Sequence, residues 1–519
     1  MINLYASQAA WLPGLDVRLH FASITKARTA AAALATTLVI GLALRIFVVC
    51  TQTYVIFEDE TFQYLEQAHR LAFGSGIVPW EFIDGIRSWL VPGLLAGIMR
   101  MANAISSGPQ FILRIIRVAC AGLSLSVVLA GFHLVLRREG LPGAILTGIL
   151  CAVWSELVYF APSALTEVLA GNCLLLGILF GEIGDDTRTA RRLVIAGALF
   201  GLAACLRFQY APALLAAAIW QHRAAWRRWA YLTAGGLAVV LPVGGVLDWL
   251  TWGAPFQSIW LNLARNSWQG VSAGMGVAPW DYYLQYLLLT WQPAGPLLAV
   301  LVFVGATRLP AVAWAAVVTL VVHSLLPHKE FRFIYLVTAA APILIGAGAS
   351  ALLGNLASRG GRVATTALLA ATLLLATAQS YAAATRGPLA SRWDWDRGTM
   401  QAFLAAHRAP NMCGLGVAGV PFYRTGGYTY LHRPVPLFFD DFTPFRPARG
   451  SSVILRFSVM LRGQLFAEPT IGRMAQEANR FNYLIAPAGR GMSEFQPVEC
   501  FGTAGSQMCL FRRPGGCDR

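Results

Sequence analysis

Long apolar runs alternate with short polar connections through the first 384 residues of the chain. The runs that are candidate membrane-spanning helices lie at 29–50, 114–136, 141–159, 165–183, 193–206, 209–221, 230–248, 284–306, 309–326, 333–354 and 363–384. A helix needs roughly 20 apolar residues to cross a bilayer. The runs 193–206 and 209–221 are each short for this, and a tight or partly re-entrant hairpin around Arg207 is an alternative. The pattern predicts a mainly α-helical, polytopic membrane protein with about eleven spans.

Two parts of the chain depart from this pattern. Residues 88–105 are apolar, but the stretch is short and contains Pro92, so it is either a further span or a helix at the membrane interface. Residues 385–519 are more polar, and strand-like pieces at 412–419, 451–460 and 482–487 alternate there with helical stretches at 396–407 and 470–480. This alternation predicts a small α/β domain. We therefore divide the chain into a membrane domain, 1–384, and a C-terminal domain, 385–519.

The charges of the connections predict their orientation. The connections at 137–140, 185–192, 222–229, 307–310 and 358–362 are short and mostly basic. Such loops lie in the cytoplasm by the positive-inside rule, together with the basic N-terminal flank of the first run, which we interpret as a retained signal anchor. If 88–105 does not cross, the segments 51–113, 248–283, 327–332 and the C-terminal domain lie on the extracytoplasmic side.

Composition agrees with a membrane protein and limits the choice of partners. Of the 519 residues, 56% are hydrophobic and 13% charged, whereas soluble proteins carry about 25% charged residues. The net charge of +15 would suggest nucleic-acid binding in a soluble chain. Because many basic residues here flank apolar runs, membrane orientation explains them, and no nucleic-acid partner is expected.

Four of the nine cysteines, Cys413, Cys500, Cys509 and Cys517, lie in the C-terminal domain and have no metal-type spacing. If this domain is extracytoplasmic, a disulfide between Cys500 and Cys509 across a hairpin is our first choice. Unpaired thiols are the alternative. The other five cysteines lie in or beside apolar runs, where cysteine acts as a small hydrophobe.

Acidic residues begin the first outer loop, 51–113. Glu58, Asp59 and Glu60 follow a span directly, and because three adjacent acids repel one another, at least one pKa should rise. The pattern of residues 61–70 then predicts an interfacial helix with Glu66 near His69. Three amphipathic residues that could anchor the loop at the interface follow: Trp80, Arg87 and Trp89. The loop is either one wall of a site or a solvated loop end.

Two further outer segments carry clustered polar residues. Asn262 and Asn266 are four residues apart, so a helix would place both amides on one face; Trp280 and other aromatics around them are either interface anchors or sugar and headgroup contacts. Residues 328–333 read HKEFRF, between two apolar runs. Ionisable residues in such a place are costly and usually functional. A basic flank contacting lipid phosphates would explain Lys329 and Arg332, but not His328 and Glu330 beside them.

These motifs resemble glycosyltransferase family 22, whose members use dolichyl-phosphate mannose to build GPI anchors and lipid-linked N-glycan precursors. HKEFRF is similar to the family's HKE-x-RF signature. The first outer loop matches in order with Asp59-Glu60, Gln63, Glu66, Phe73-Gly74, Trp80-Glu81, Arg87-Ser88 and Pro92. The loop 248–283 matches with Asp248, Gly253, Asn262, Asn266, Gly276, Pro279, Trp280 and Tyr282, although Trp252 replaces the usual tyrosine. Thr166-Glu167 and Arg207 resemble family elements more weakly.

The resemblance implies a GT-C fold and an enzyme that moves a mannosyl, or another hexosyl or pentosyl, residue from a polyprenyl-phosphate donor to a glycan or glycolipid hydroxyl, with inversion. Asp59 is the expected base, and Glu60 would orient it or the acceptor. The cations that would meet the leaving phosphate are His328, Lys329 and Arg332, with Arg207 as an addition, while Glu330 would hold Lys329 or Arg332. Glu66, Trp80, Arg87, Asn262, Asn266 and Trp280 are the further candidates for substrate binding. No metal or other cofactor is expected.

Two other functions remain open on the sequence. A GT-C transferase that acts on protein, or that carries a sugar other than mannose, would share the same motifs. A transporter would place polar residues such as Arg207 and Gln209 along a path through the membrane, often with internal repeats. We find no such repeat in the sequence.

Overall fold

The computed structural model describes residues 13–51, 57–182, 189–223, 225–440, 471–474, 478–490, 492–503 and 507–517. Helices form most of it. In chain order they are α1 (Pro13–Thr51), α2 (Glu66–Phe73), α3 (Trp80–Ile83), α4 (Leu90–Ile105), α5 (Pro109–Ser124), α6 (Ser126–Val153), α7 (Ser155–Phe160), α8 (Thr166–Gly181), α9 (Thr189–Leu206), α10 (Ala211–His222), α11 (Trp226–Val240), α12 (Asp248–Trp252), α13 (Gln257–Leu263), α14 (Tyr282–Trp291), α15 (Gly295–Arg308), α16 (Pro310–Leu325), α17 (Tyr335–Thr385), α18 (Arg397–Arg408) and α19 (Gly427–Leu431).

The helices confirm an integral membrane protein. Within the described residues, the segments long and apolar enough to cross a membrane are Lys26–Thr51, Pro109–Val153, Thr189–Leu206, Trp226–Trp252 and Phe331–Gly354, and the bent pair α14–α15 would add a sixth. Shorter apolar helices are α4, α8 and α16. Each of the apolar runs predicted from the sequence is helical over most of its length: α17 covers the last two, and α6 contains the end of 114–136 and most of 141–159.

Glycines separate the two runs within α6 and within α17. Gly140 has φ 78° and Gly361 has φ 75°, and both therefore break the helical backbone. These positive φ angles are accessible to glycine at little cost. Each glycine lies in one of the short basic connections, so the chain turns there without an extended loop.

Helix α4 covers the ambiguous stretch 88–105. Its 16 residues are fewer than the roughly 20 that a crossing requires. It packs against α2 and α5, burying Met99 while Leu94, Met101 and Ile105 remain exposed. An apolar outer face on a short helix fits a position beside lipid, and whether α4 crosses stays a prediction.

The ends of four helices meet beside the first outer loop. Helix α8 begins at Thr166, and its neighbour α9 ends at Leu206, directly before Arg207. Helix α16 ends at Leu325, and α17 begins at Tyr335, directly after a 3₁₀ turn that contains Arg332. Helix α8 packs against α9, α16 and α17, so the polar residues at these ends come together. The partners of α10 are chiefly α16 and α8 rather than α9, so α9 and α10 do not pair closely as a hairpin.

The C-terminal domain combines helices with a sheet, as predicted, and the sheet is mixed. Its strands in the described residues are β1 (Leu415–Val417), β2 (Leu437–Phe439), β3 (Ile471–Arg473), β4 (Tyr483–Pro487), β5 (Gln496–Phe501) and β6 (Met508–Arg512), in the order β3-β2-β1-β4-β6-β5. Pairs among β3, β2, β1 and β4 are parallel, whereas β4–β6 and β6–β5 are antiparallel. Helix α18, predicted at 396–407, packs on this sheet.

One prediction for this domain is wrong, and another lies outside the described residues. A helix was expected over 470–480, but Ile471–Arg473 forms strand β3, because pairing with β2 overrides the local helical preference. The strand expected at 451–460 is not among the described residues. The Cys500–Cys509 disulfide is confirmed between β5 and β6, and a second disulfide joins Cys413 to Cys517.

Helix α19 of the C-terminal domain packs against α2 and α5. Glu66 is fully buried and accepts hydrogen bonds from the Thr429 N–H at 2.6 Å, the Thr429 hydroxyl at 2.5 Å and the Ile77 N–H at 2.8 Å. His69 contacts His432, with 2.8 Å between ring nitrogens. The predicted helix is confirmed over Glu66–Phe73 and carries Glu66 and His69 three residues apart, but the side chains of both bind partners in the C-terminal domain. Its position at the membrane interface stays a prediction.

Gly427 provides a test of this contact. It has φ +54°, and a Cβ there would lie 2.5–2.7 Å from the Glu66 carboxylate. Gly427→Ala should lower the free energy of unfolding by about 1–3 kcal/mol. The added Cβ would clash with Glu66, and alanine adopts this positive φ only with strain. Thermal unfolding of the detergent-solubilised protein measures this. Gly489→Ala is the control, because a Cβ at Gly489 meets nothing within 4 Å. Equal stability of both variants would contradict the tight contact.

Candidate active site

A buried group of charges lies where the helix ends meet. Arg332 is 3% exposed and donates through Nη2 to Asp59 Oδ2 and through Nε to Glu330 Oε2, at 2.6 Å. Glu167, 1% exposed, has its Oε1 3.6 Å from Arg332 Nε and 3.4 Å from Arg207 Nη1. We call Asp59, Glu167, Arg207, Glu330 and Arg332 the charged cluster. It joins the first outer loop, α8, the end of α9 and the HKEFRF segment.

The HKEFRF side chains have different partners. Glu330 holds Arg332, as expected, and its other carboxylate oxygen lies 2.9 Å from His328 Nε2, which raises the pKa of His328. Glu330 does not hold Lys329, whose Nζ donates instead to the carbonyls of Leu326 and Ala278, the latter at 3.0 Å. Lys329 therefore ties this segment to the loop 248–283. Of the three cations expected here, Arg332 lies deepest in the charged cluster.

Asp59 remains partly open, with 32% of its side-chain area exposed. Burial raises the pKa of this carboxyl, but the charges of Arg332, Arg87 and Arg207 more than offset that effect. Its pKa is therefore lowered, and the group is ionised at neutral pH. An ionised, reachable carboxylate at the edge of buried cations can accept a proton from a substrate hydroxyl.

A narrow cavity begins beside the charged cluster, at Arg207. It is lined by Tyr64, Ile86, Arg87, Ser88, Leu90, Val91, Thr166, Cys205, Leu206, Arg207, Phe208, Gln209, Ser258, Ile259 and Asn262. The Nε atoms of Arg87 and Arg207 are buried and, among the described residues, have no hydrogen-bond partner. Two guanidinium groups with spare donors in a shared cavity are suited to bind an anion such as phosphate.

The loop 248–283 forms one side of this cavity. Asn262 donates to the Ile86 carbonyl at 3.1 Å, and Asn266 donates to Asn262 Oδ1 at 2.9 Å. The two amides thus lie on one face, as their spacing predicts. Asp248 fixes the same loop, since its Oδ2 accepts from the N–H and the hydroxyl of Ser258 at 2.8 and 2.6 Å.

An aromatic cluster supports Arg87. Phe82, Trp89 and Trp252 pack together in the interior, with ring centroids 5.0–6.3 Å apart. The Trp252 indole N–H donates to the Arg87 carbonyl at 2.9 Å. Trp89 is therefore a buried packing residue rather than the interface anchor expected from the sequence.

Glu60 lies beside Asp59 in sequence but points elsewhere. Its Oε1 accepts the Ala164 N–H at 2.7 Å, so it links the first outer loop to the segment that leads into α8. Burial raises the pKa of Glu60 to about 7. Burial also raises the pKa of Glu81 to about 7, assisted by the charge of Asp59. The pKa of Glu58 is raised as well, chiefly by burial, and the charge of Asp59 adds to that rise. Burial, rather than the repulsion expected from the sequence, is thus the main cause within the acidic triplet.

Of the residues expected to bind substrate, Arg87, Arg207 and Asn262 line the cavity, whereas the others, including Glu66, Trp80 and Trp280, do not. Glu66 is enclosed by its contacts with α19, Trp80 begins the short helix α3, and Trp280 is 68% exposed. Among the described residues, no group of three or more His, Cys, Asp or Glu side chains could hold a metal ion.

Residues 36–432 match the model of the Alg9-like mannosyltransferase family. The match contains all three outer segments of the site. The chain belongs to this family. The matched region also includes the first part of the C-terminal domain, through α19, which contacts Glu66.

Relatives of known name agree with the family. GPI mannosyltransferase 3 of Yarrowia lipolytica is 29% identical over 329 residues, which cover 61% of this chain and 62% of the relative. GPI alpha-1,2-mannosyltransferase 3 of Danio rerio is 28% identical over 303 residues, covering 56% of this chain and 54% of the relative. The chain thus matches somewhat over half the length of these relatives.

Solved structures confirm the GT-C fold of this Alg9-like family member. ArnT from Cupriavidus metallidurans bound to undecaprenyl phosphate has a TM-score of 0.56 at 12% identity, covering 92% of this chain and 97% of ArnT. The Archaeoglobus fulgidus oligosaccharyltransferase tethered to an acceptor peptide has a TM-score of 0.51 at 13% identity. The match covers 90% of this chain and 70% of the oligosaccharyltransferase chain. At these identities the likeness concerns the fold.

Several residues of the site were not predicted, or were only weakly predicted, from the sequence. Glu167 was matched only weakly to the family pattern, yet it is the carboxylate shared by Arg207 and Arg332. Tyr64, Gln209 and Ser258 line the cavity without any motif of their own. One signal was available for Glu167, since a carboxylate directly after a span start requires a partner.

Titration of Glu60 gives a test of the buried link to Ala164. Because its pKa is raised to about 7 in the folded state, from about 4.3 unfolded, its contribution to stability is full at low pH. That contribution falls as the pH rises to about 7. Glu60→Gln removes it, so the slope of unfolding free energy against pH should differ from wild type by about one proton in this window. Thermal unfolding between pH 4.5 and 7.5 measures the slope.

The exposed carboxylate variant Glu499→Gln is the control for Glu60→Gln. Glu66 and Glu81 titrate in the same window but are present in all three proteins, so their effects cancel in the comparison. Identical slopes for Glu60→Gln and wild type would show that Glu60 carries no raised pKa.

Proposed function

We propose that this chain transfers a mannosyl residue from a polyprenyl-phosphate donor to a hydroxyl group of a glycan or glycolipid, with Asp59 as the base. The observation that carries the proposal is the ionised, partly open Asp59 carboxylate beside a cavity whose walls contain Arg87 and Arg207. Membership of the Alg9-like mannosyltransferase family supports the sugar.

The donor phosphate is proposed to bind in the cavity. Arg87 and Arg207, whose Nε–H groups have no partner among the described residues, line this cavity together with Tyr64, Thr166 and Asn262. Undecaprenyl phosphate is the compound bound to ArnT, which shares the fold, and this supports a lipid phosphate as the ligand. The arginines would meet the phosphate charge without a metal ion, and the absence of a metal requirement stays a prediction.

The proposed reaction is a single displacement. Asp59 takes the proton of the acceptor hydroxyl while the hydroxyl oxygen bonds to C1 of the sugar. The bond from C1 to the phosphate oxygen breaks, and the lipid phosphate leaves with the bonding electron pair. Attack from the face opposite the phosphate would invert the configuration at C1. The arginines stabilise the phosphate more as it gains charge, which lowers the barrier.

The donor is proposed to adjust the base as it binds. In the free protein the charges of Arg332, Arg87 and Arg207 lower the pKa of Asp59. A phosphate beside Arg87 and Arg207 offsets part of that positive charge, so the pKa of Asp59 should rise and the carboxylate should accept a proton more readily. Glu60 and Glu330 act in this scheme as positioning residues, Glu60 through Ala164 and Glu330 through Arg332.

We place the site on the extracytoplasmic side of the membrane. The two disulfides of the C-terminal domain support this, because disulfides persist in oxidising compartments. The basic connections lie at the opposite ends of the helices and support a cytoplasmic position there. The names of the relatives support a glycolipid acceptor of the GPI type.

Asp59→Asn tests the base. The change keeps the size of the side chain but removes proton acceptance, so kcat should fall by about 10²–10⁴-fold. The measurement follows radiolabelled polyprenyl-phosphate mannose incubated with purified protein and membrane glycolipids. Asp440→Asn, an exposed carboxylate of the C-terminal domain, is the control. Wild-type transfer by Asp59→Asn would exclude Asp59 as the base.

The same assay separates the alternative functions. Label in a glycolipid supports the proposal, whereas label in protein would identify a protein glycosyltransferase. Uptake of the donor into sealed vesicles without any transfer would identify a transporter.

Arg87→Gln tests the phosphate site. Loss of charged hydrogen bonds should weaken binding of polyprenyl phosphate about tenfold or more, and kcat/KM for the donor should fall at least as far. Competition by unlabelled polyprenyl phosphate in the transfer assay measures both effects. Arg408→Gln, at the exposed end of α18, is the control. Unchanged competition in Arg87→Gln would place the phosphate elsewhere.

A further inference from the structure

A second polar cavity lies at the other end of the helices that build the candidate active site. It has a volume of about 540 Å³, and the charged residues in its lining are Arg137, Arg138, Glu182, Arg192 and Arg228. Helix α8 runs from Thr166, in the active-site cavity, to Gly181, in this second cavity, a rise of about 22 Å. Helix α9 likewise separates Arg192 from Arg207. The two cavities therefore lie toward opposite faces of the membrane.

Hydrogen bonds hold three of the four arginines of the second cavity in place. Arg137 Nη1 donates to the Glu182 carbonyl at 3.0 Å, and Arg192 Nη2 donates to the same carbonyl at 2.6 Å. Arg138 Nη2 lies 3.2 Å from the Glu182 carboxylate. Each guanidinium has five N–H donors, so these contacts fix the groups while leaving most of their donors available.

The charge of this cavity is strongly one-sided. Its lining contains four guanidinium groups and one carboxylate. Basic residues at helix ends often serve only to orient a membrane protein, with their side chains directed outward. Here they line a half-open cavity between the helix ends instead, and an anion bound there would relieve their repulsion. The planar guanidinium fork matches the oxygens of phosphate.

We propose that the second cavity binds a phosphate group at the membrane face opposite the active site. Basic cavities between membrane helices on the cytoplasmic side are suited to anionic lipid headgroups, and Trp220 in the lining offers an amphipathic contact at that level. The phosphate belongs either to an anionic membrane lipid or to a soluble anion. This site is separate from the proposed transfer reaction and does not depend on it.

The experiment measures binding of fluorescent short-chain phosphatidic acid to the purified full chain in detergent, with a matched phosphatidylcholine probe. The test variant is Arg192→Gln with Arg228→Gln. The control is Arg191→Gln with Arg227→Gln, since these neighbours are exposed and outside the cavity lining. The control pair removes the same charge from the same two helices. Arg87→Gln alone should leave this binding unchanged, which separates the second cavity from the active site.

We expect the test variant to bind phosphatidic acid about tenfold more weakly than wild type, because charged hydrogen bonds are lost, while the control pair binds as wild type. Inorganic phosphate then identifies the source. Displacement of the probe only at large excess supports a lipid headgroup, and displacement at equal concentration supports a soluble anion.

Equal binding by the test and control variants would overturn the proposal, as would equal binding of both lipid probes by wild type. Gel filtration and thermal unfolding check that the test variant is folded. If it is not, the single changes Arg228→Gln and Arg227→Gln are compared in the same way.

Discussion

The buried carboxylate of Glu167 is the constraint on which the candidate site depends. It lies between Arg207 and Arg332, two cations that come from helix ends more than a hundred residues apart. A buried charge without a partner costs several kcal/mol. The ion pairs of Glu167 therefore hold the start of α8, the end of α9 and the HKEFRF segment together. They also fix the position of Asp59, because Arg332 binds Asp59 as well.

This arrangement explains why the acidic triplet divides its roles. Asp59 faces the arginines and has a lowered pKa, whereas Glu60 is buried against the Ala164 N–H and has a raised pKa. Adjacent residues on one helical turn point in different directions. Two neighbouring carboxyl groups therefore lie in different surroundings and have different pKa values. A carboxylate that is ionised and another that holds a proton near neutrality lie within one turn of each other.

The sequence was sufficient to predict an integral membrane protein with apolar helices and to identify the segments that form the site, because hydropathy and the HKEFRF and Asp59-Glu60 motifs are local signals. It was not sufficient for the pairing within those segments. The link from Glu66 to Thr429 spans 363 residues, and no local pattern encodes it. Strand β3 was missed for the same reason, since its conformation depends on β2 rather than on its own residues. The weak Thr166-Glu167 match shows that a motif's clarity does not measure its structural importance.

The contact between Glu66 and helix α19 has a consequence for how this protein is made. Glu66 is synthesised hundreds of residues before Thr429, and until α19 is made its carboxylate lacks the hydrogen bonds that Thr429 donates. Burial raises its pKa to about 7, so a chain whose C-terminal domain is absent would expose this carboxylate to water, where ionisation is favourable. The first outer loop would then lack its hydrogen bonds to α19. Assembly of the C-terminal domain thus completes the hydrogen bonding of a buried carboxylate that was synthesised much earlier.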